Sequence, residues 1–151
     1  IVREKKIKFE CYGYGNYKKF YNIKLKNKLK NISFKRFDKN LKNKINNFDI
    51  LLHLSKREGL PVAVMESLSL GLPVICYKIR GNRDLVIENY NGYFVKSYKE
   101  VPHIINYLNL ENNFFNQMRV NSVKSIDKKF FNRKFNFNIY KILKNKFKNS
   151  K

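Results

Sequence analysis

The stretch FDILLHLSKREGLPVAVMESLSLGLPVICY, residues 48–77, decides the fold. An apolar run, a short polar loop, a mainly apolar segment and a second apolar run predict strand, loop, helix and strand. Pro61 suits the first turn of a helix, because its missing N–H would have no partner there, and Gly71 suits the position just past the helix end. We therefore expect a helix of about ten residues, Pro61–Leu70, between two strands.

The same alternation extends to both sides of this stretch. Strand candidates are Ile7–Tyr12, Ile32–Phe37, Asp49–Ser55, Pro73–Tyr77 and Gly92–Val95. Helix candidates are Tyr17–Lys30, Lys39–Asn47, Pro61–Leu70 and Asp84–Asn89. Strand and helix in turn are typical of the α/β class, and the sequence predicts a Rossmann-like parallel sheet with helices on both faces.

After residue 97 the pattern is helical only. The candidates are Lys99–Leu108, Glu111–Ser125 and a basic, aromatic stretch, Asp127–Lys148. We divide the chain into a Rossmann-like domain, residues 1–126, and a C-terminal helix, residues 127–151. The phenylalanines of that last helix recur at helical spacing, which is typical of a packing stripe, while contact with a membrane or with nucleic-acid bases is the alternative.

The composition limits the class of protein but does not identify a ligand. The chain has 33 Lys and Arg against 11 Asp and Glu, a net charge of +22, which favours anionic partners. Lys, Asn, Ile, Phe and Tyr are abundant throughout, as a general coding bias would also produce. Cys11 and Cys76 are isolated in apolar runs and make neither a metal cluster nor a disulfide framework, which fits a reducing cytoplasm. No apolar run approaches the roughly 18 residues of a membrane-spanning helix.

Two loops leave the predicted sheet at the edge where open α/β sheets bind ligands. The loop Lys56–Leu60 enters a helix N-terminus, where free N–H groups and the helix dipole favour a phosphate, and Gly59 lets the backbone approach it closely. The loop after the next strand adds three cations, Lys78, Arg80 and Arg83. Any one of them could be an ordinary surface charge, so the prediction of a diphosphate site depends on both loops together.

Glu66 is the only charged residue in the predicted helix Pro61–Leu70. A carboxylate in apolar surroundings is costly unless it meets a partner, which makes Glu66 a site candidate. The alternative is a glutamate on one solvated stripe of the helix.

The run SKREGLPVAVMESLSLGLPVI, followed by IRGNRDLV and NGYFV, resembles the C-terminal domain of glycosyltransferase family 4. Enzymes of that family have the GT-B architecture of two Rossmann-like domains. Glu58 and Glu66, with seven residues between them, match its paired-glutamate motif, and residues 73–76 and 91–92 match its next landmarks. The ordered set is far more specific than any one of these motifs.

The resemblance implies a retaining glycosyltransferase of hexosyltransferase type. It would move a sugar from a nucleotide sugar such as a UDP-sugar to an acceptor in surface polysaccharide or glycolipid synthesis, without a metal ion or other cofactor. Glu58 would be the catalytic residue at the donor sugar, Glu66 would bond the ribose, and residues 35–37 would line the base. The candidate donor-binding residues are Ser55, Arg57, Gly59, Leu60, Pro61, Glu66, Arg36 and Arg80.

This chain departs from the family pattern at several points. Arg36 stands where the family usually has Gly, and Leu54 where Pro is common. The family places a strand, a basic pair and the acceptor-binding domain before the point where this chain begins at Ile1, so we expect upstream sequence to be missing and the chain to be inactive without it. Expected partners are the nucleotide sugar, a lipid-linked or saccharide acceptor and an anionic membrane surface, with no nucleic acid. The expected location is the cytoplasm, at the inner face of the membrane.

Two other functions stay open on the sequence: a sugar-nucleotide epimerase of the same architecture, and a basic module that binds nucleic acid or membrane without catalysis. A nicotinamide site is rejected, because the turn Gly13-Tyr14-Gly15 would need Gly or Ala where Lys18 stands. His53 and His103 have no sequence neighbours that make a metal or nucleophile site, and we interpret both as structural.

Overall fold

In this computed structural model, residues 7–15, 17–38 and 41–130 are described. The strands are β1 (Phe9–Gly13), β2 (Ile32–Arg36), β3 (Leu51–His53), β4 (Val74–Tyr77) and β5 (Gly92–Val95). The helices are α1 (Tyr17–Lys26), α2 (Leu41–Lys44), α3 (Val62–Ser69), α4 (Asn82–Leu85), α5 (Val101–Leu110) and α6 (Asn112–Phe130). Two short 3₁₀ helices, Ile45–Asn47 and Tyr98–Glu100, precede β3 and α5.

The described residues form two compact units, which divide between Asn43 and Lys44. In the first unit, β1 and β2 pair in parallel, from Phe9 opposite Ile32 to Gly13 opposite Arg36. Helix α1 connects the two strands, as a parallel pair requires.

Three parallel strands, in the order β3-β4-β5, form the sheet of the second unit. Successive side chains of a strand point to opposite faces. Val74 and Cys76 of β4 belong to the main core cluster, so Ile75 points away from that cluster, and it is only 1% exposed. Both faces of β4 are therefore covered.

Helix α3 is fixed at both ends by its sequence. Pro61 is its N-cap, and its carbonyl accepts hydrogen bonds from the N–H groups of Val64 (2.9 Å) and Met65 (3.2 Å). At the other end, Gly71 has a φ of 76° and its N–H donates to the carbonyl of Leu68. Leu72 N–H reaches back to the carbonyl of Ser67, which completes a Schellman motif. The helix has eight residues rather than the expected ten, because Pro61 and Leu70 are caps.

The core of the second unit lies where α3, α4 and α6 meet the sheet. Its buried members are Val64, Leu68, Val74, Cys76, Leu85, Val86 and Ile126. Leu51 of β3 and Phe94 of β5 are partly buried and pack against it. The apolar positions of residues 48–77 thus form the centre of this unit.

The parallel α/β class is confirmed, although the strands lie in two sheets where the sequence predicts one. The helix expected at Asp84–Asn89 is wrong, since α4 ends at Leu85. Asn91 explains the end of the helix: its side chain donates to the carbonyl of Leu85 and accepts from the N–H of Ile87, so it replaces helical hydrogen bonds.

Helix α6 runs without a break from Asn112 to Phe130, across the expected domain boundary at residue 126. Residues 131–151 lie outside the described part of the chain, so the aromatic C-terminal helix stays a prediction. Within the described ranges, no helix combines the length and the apolar character needed to cross a membrane.

Candidate functional site

A crevice of about 390 Å³ lies in the second unit, at the carboxyl ends of β3 and β4. It is lined by Lys56, Arg57, Glu58, Gly59, Ile79 and Arg80. The first four residues follow β3, and the last two follow β4. Two loops that are separate in sequence therefore form one concave surface at the ligand-binding edge of a parallel sheet.

Gly81 joins the two loops through direct backbone contact. It has a φ of 82°, and a Cβ atom there would lie 2.5 Å from the Gly59 carbonyl oxygen and 3.1 Å from Pro61 Cδ. Any residue with a side chain would have to push the loops apart. Gly59 differs, because a Cβ added there would meet no atom within 4 Å and would point into open space.

Charge is concentrated in the crevice. Lys56, Arg57 and Arg80 supply three cations, and all three residues are exposed. Glu58 supplies one carboxylate, with its side chain 30% exposed. Arginine and lysine pair well with phosphate oxygens, and the excess of cations favours a ligand with more than one negative charge. One end of the ligand would then meet the carboxylate.

His53 does not line the crevice and is not a site candidate from the sequence, but it contacts Glu58, which does line it. Its Nε2 lies 3.4 Å from Glu58 Oε1, and this nitrogen is buried without a hydrogen-bond partner among the described atoms. His53 ends β3, five positions before Glu58, and the strand-then-loop prediction places both at the same edge. The interpretation of His53 as structural stays a prediction.

Cys76, the neighbour of His53 in the sheet, is not a reactive cysteine. Cys76 lies opposite His53 in the sheet, and burial raises the pKa of its thiol to about 12. The Cys76 side chain therefore stays a thiol near neutral pH and acts as a small apolar residue.

Several sequence candidates do not line the crevice, although they lie in the same unit. Ser55 shapes its own loop, because its Oγ donates to the carbonyl of Arg57 at 3.0 Å. Leu60 is 61% exposed, and Pro61 is buried at the start of α3. Glu66 lies on α3, where it is partly buried and its carbonyl accepts a hydrogen bond from Ser69 Oγ.

Of the three cations predicted on the loop after β4, only one lines the crevice. Lys78 lies over the ring of Phe94, 5.5 Å from its centre, and Arg83 is exposed on α4. Neither lines the crevice, whereas Arg80 does. The structure thus selects one of the three cations that the sequence places on this loop.

Arg36 belongs to the first unit. It lines a cavity of about 380 Å³ with Lys18, Tyr21, Asn22 and Phe34. The neighbouring Phe37 stacks on Tyr14, with ring centres 5.0 Å apart. Arg36 is the last residue of β2, Phe37 follows it, and Tyr14 follows the end of β1. The base-binding role of residues 35–37 stays a prediction.

Within the described part of the chain, no three His, Cys, Asp or Glu side chains are grouped closely enough to hold a metal ion. The expected independence from metals stays a prediction.

The sequence profile of the family called glycosyl transferases group 1 matches residues 2–124. A curated relative from Streptococcus agalactiae, the UDP-N-acetylglucosamine–peptide N-acetylglucosaminyltransferase GtfA subunit, is 32% identical over 96 residues. That match covers 62% of this chain and 19% of the relative.

Solved structures show the same fold. Anabaena HepE in complex with UDP-glucose superposes with a TM-score of 0.77 at 17% identity, over 96% of this chain and 42% of HepE. The C-terminal domain of a glycosyl transferase group 1 family protein from Francisella tularensis gives a TM-score of 0.65 at 16% identity, over 85% of this chain and 90% of that domain. The chain therefore spans only part of the length of GtfA and HepE.

Proposed function

The chain belongs to the glycosyl transferases group 1 family, and we propose that it is the donor-binding domain of a retaining hexosyltransferase of glycosyltransferase family 4. One observation carries the proposal: the crevice between the loops after β3 and β4 combines three cations with one carboxylate. The cations suit a diphosphate, and the carboxylate suits the hydroxyl groups of a sugar or the positive charge that develops on it during transfer.

Lys56, Arg57 and Arg80 would hold the diphosphate of the donor. As the bond between sugar and diphosphate breaks, negative charge grows on the leaving phosphate oxygen, and cations already in place stabilise it. These side chains would do the work that a metal ion does elsewhere, which is why we propose a transfer that needs neither metal nor cofactor.

Glu58 is the proposed catalytic residue. It lines the crevice beside the cations, and its carboxylate can act on the sugar end of a ligand whose diphosphate lies at Lys56 and Arg80. An interaction that grows with positive charge on the sugar lowers the barrier, whereas one equal in ground and transition states only improves binding.

Glu66 would bind the nucleoside part of the donor. Glu66 is eight positions beyond Glu58 and inside α3, so it meets a different part of an extended ligand, which we propose is the ribose. The relatives support UDP as the nucleotide, because HepE is described with UDP-glucose and the GtfA subunit is named for UDP-N-acetylglucosamine. Gly59 and Leu60 would offer backbone N–H groups to the sugar and diphosphate.

The proposal also covers the acceptor of the sugar and the location of the protein in the cell. The net charge of +22 suits an anionic surface, and we propose that the protein works at the inner face of the membrane on a lipid-linked or saccharide acceptor of surface polysaccharide or glycolipid synthesis. The family match favours a glycosyltransferase over the two alternatives, a non-catalytic module and an epimerase.

Calorimetry of the intact protein with UDP, GDP and ADP, and with UDP-glucose and UDP-N-acetylglucosamine, tests the proposal. We expect Glu66→Gln to weaken nucleotide and nucleotide sugar alike, by about 1–3 kcal/mol for a charged hydrogen bond. Glu58→Gln should leave free-nucleotide affinity nearly unchanged and weaken only the nucleotide sugar. Equal losses of free-nucleotide affinity in both variants would contradict the division of roles, and a folded protein that binds none of the five compounds would contradict the function.

A further inference from the structure

His53 and Glu58 form a pair that the family motif does not explain. His53 ends β3, Glu58 lies in the loop that follows, and Nε2 of the first is 3.4 Å from Oε1 of the second. Their side chains are 17% and 30% exposed. The contact lies between the core of the second unit and the crevice, with the histidine on the inner side.

The neighbours of His53 in its row of the sheet are apolar. Across the sheet it lies opposite Cys76, which in turn lies opposite Phe94. Cys76 is fully buried, and Phe94 packs against the core. An apolar side chain would suit this row of the sheet, and a histidine whose buried Nε2 has no hydrogen-bond partner is costly there.

The separation of 3.4 Å exceeds the 2.7–3.2 Å of an ordinary N–H···O hydrogen bond. In ligand-free sites such contacts are often long and tighten only when substrate is bound. Lys56, Arg57 and Arg80 line the same crevice as Glu58 and could each draw its carboxylate to themselves. A second partner on the inner side would keep one carboxylate oxygen away from these cations.

We propose that His53 is a positioning residue for Glu58. Its Nε2–H donates to Oε1 when a donor occupies the crevice, which fixes the carboxylate and leaves Oε2 to meet the sugar. His53 touches neither the diphosphate nor the sugar. The inference rests on the proposed function, since it assigns His53 a role through the sugar contact of Glu58.

Binding of UDP and UDP-glucose to the intact protein, measured by calorimetry, separates this role from simple core packing. We expect His53→Leu to raise the dissociation constant for UDP-glucose about tenfold and to leave that for UDP within about twofold, because only the sugar depends on Glu58. His53→Gln, which keeps an N–H near the position of Nε2, should retain most of the affinity for UDP-glucose. His103→Leu, at an exposed position of α5, is the matched control and should change neither constant.

The double variant His53→Leu/Glu58→Gln should lose no more affinity for UDP-glucose than Glu58→Gln alone, since both changes remove one interaction. If His53→Leu does not fold, His53→Asn replaces it, because its shorter amide stays polar but does not reach Glu58. A folded His53 variant with an unchanged ratio of the two constants, or with equal losses for both ligands, would overturn the positioning role alone. A wild-type protein that binds neither ligand, or a Glu58→Gln variant with an unchanged ratio, would overturn the proposed function as well.

Discussion

The two units of the chain share one alternation of strand and helix, yet they differ in what they bury. All the buried hydrophobic residues among the described ones lie from Ile45 onward. In the first unit, β1 has the sequence FECYG, and Glu10 and Cys11 are exposed. In the second unit, β4 has the sequence VICY and is buried except at its last residue. The order of elements thus predicts the fold class, and continuous apolar strands predict where the core forms.

A leucine on a helix of each unit provides the sharpest test of that difference. Leu68 of α3 is fully buried, and Leu25 of α1 is 57% exposed. We expect Leu68→Ala to lower the free energy of unfolding by about 2–5 kcal/mol, through lost burial and the cavity left behind. Leu25→Ala should change it by no more than about 0.5 kcal/mol. Urea denaturation of both variants measures this, and similar losses would mean that the first unit has a core of its own.

Alanine variants of two glycines test whether the loops after β3 and β4 are held together by the close contact between Gly81 and the Gly59 carbonyl. Gly81→Ala places a Cβ against the Gly59 carbonyl at a φ of 82°, and we expect a loss of about 1–3 kcal/mol in unfolding free energy. Gly59→Ala meets nothing within 4 Å and should change stability by less than about 1 kcal/mol. Thermal denaturation compares the two variants. A destabilised Gly59→Ala beside an unchanged Gly81→Ala would show that the loops are not held together in this way.

Much of the second unit was predictable because its signals are local. Pro61 and Gly71 mark the ends of α3 within one residue, and β5 begins and ends where the apolar run does. The end of α4 was not predictable, since it depends on hydrogen bonds from the side chain of Asn91, a residue that the sequence shows only as a family landmark. Strand ends were less predictable in both units: β1 and β2 differ from the expected strands by one or two residues at an end, and β3 keeps only Leu51–His53 of the expected Asp49–Ser55.

The sequence predicted where the candidate site lies, but not which side chains contact one another there. Both loops could be assigned to one edge from the order of strands alone. The choice of Arg80 over Lys78 depends on a through-space contact, because Lys78 lies over the ring of Phe94. The approach of His53 to Glu58 depends in the same way on the path of the loop, which residue types and spacing do not specify.

The affinities of Arg80→Ala and Arg83→Ala for UDP test most directly whether the crevice holds a diphosphate. The two arginines are three positions apart and are both exposed, but only Arg80 lines the crevice. We predict that Arg80→Ala weakens UDP binding about tenfold, as expected for a lost charged hydrogen bond, and that Arg83→Ala changes it by less than about twofold. If both variants lose UDP affinity equally, the loss reflects only the change in net charge, which would contradict a diphosphate held by Arg80. A larger loss for Arg83→Ala would contradict the placement of the diphosphate as well.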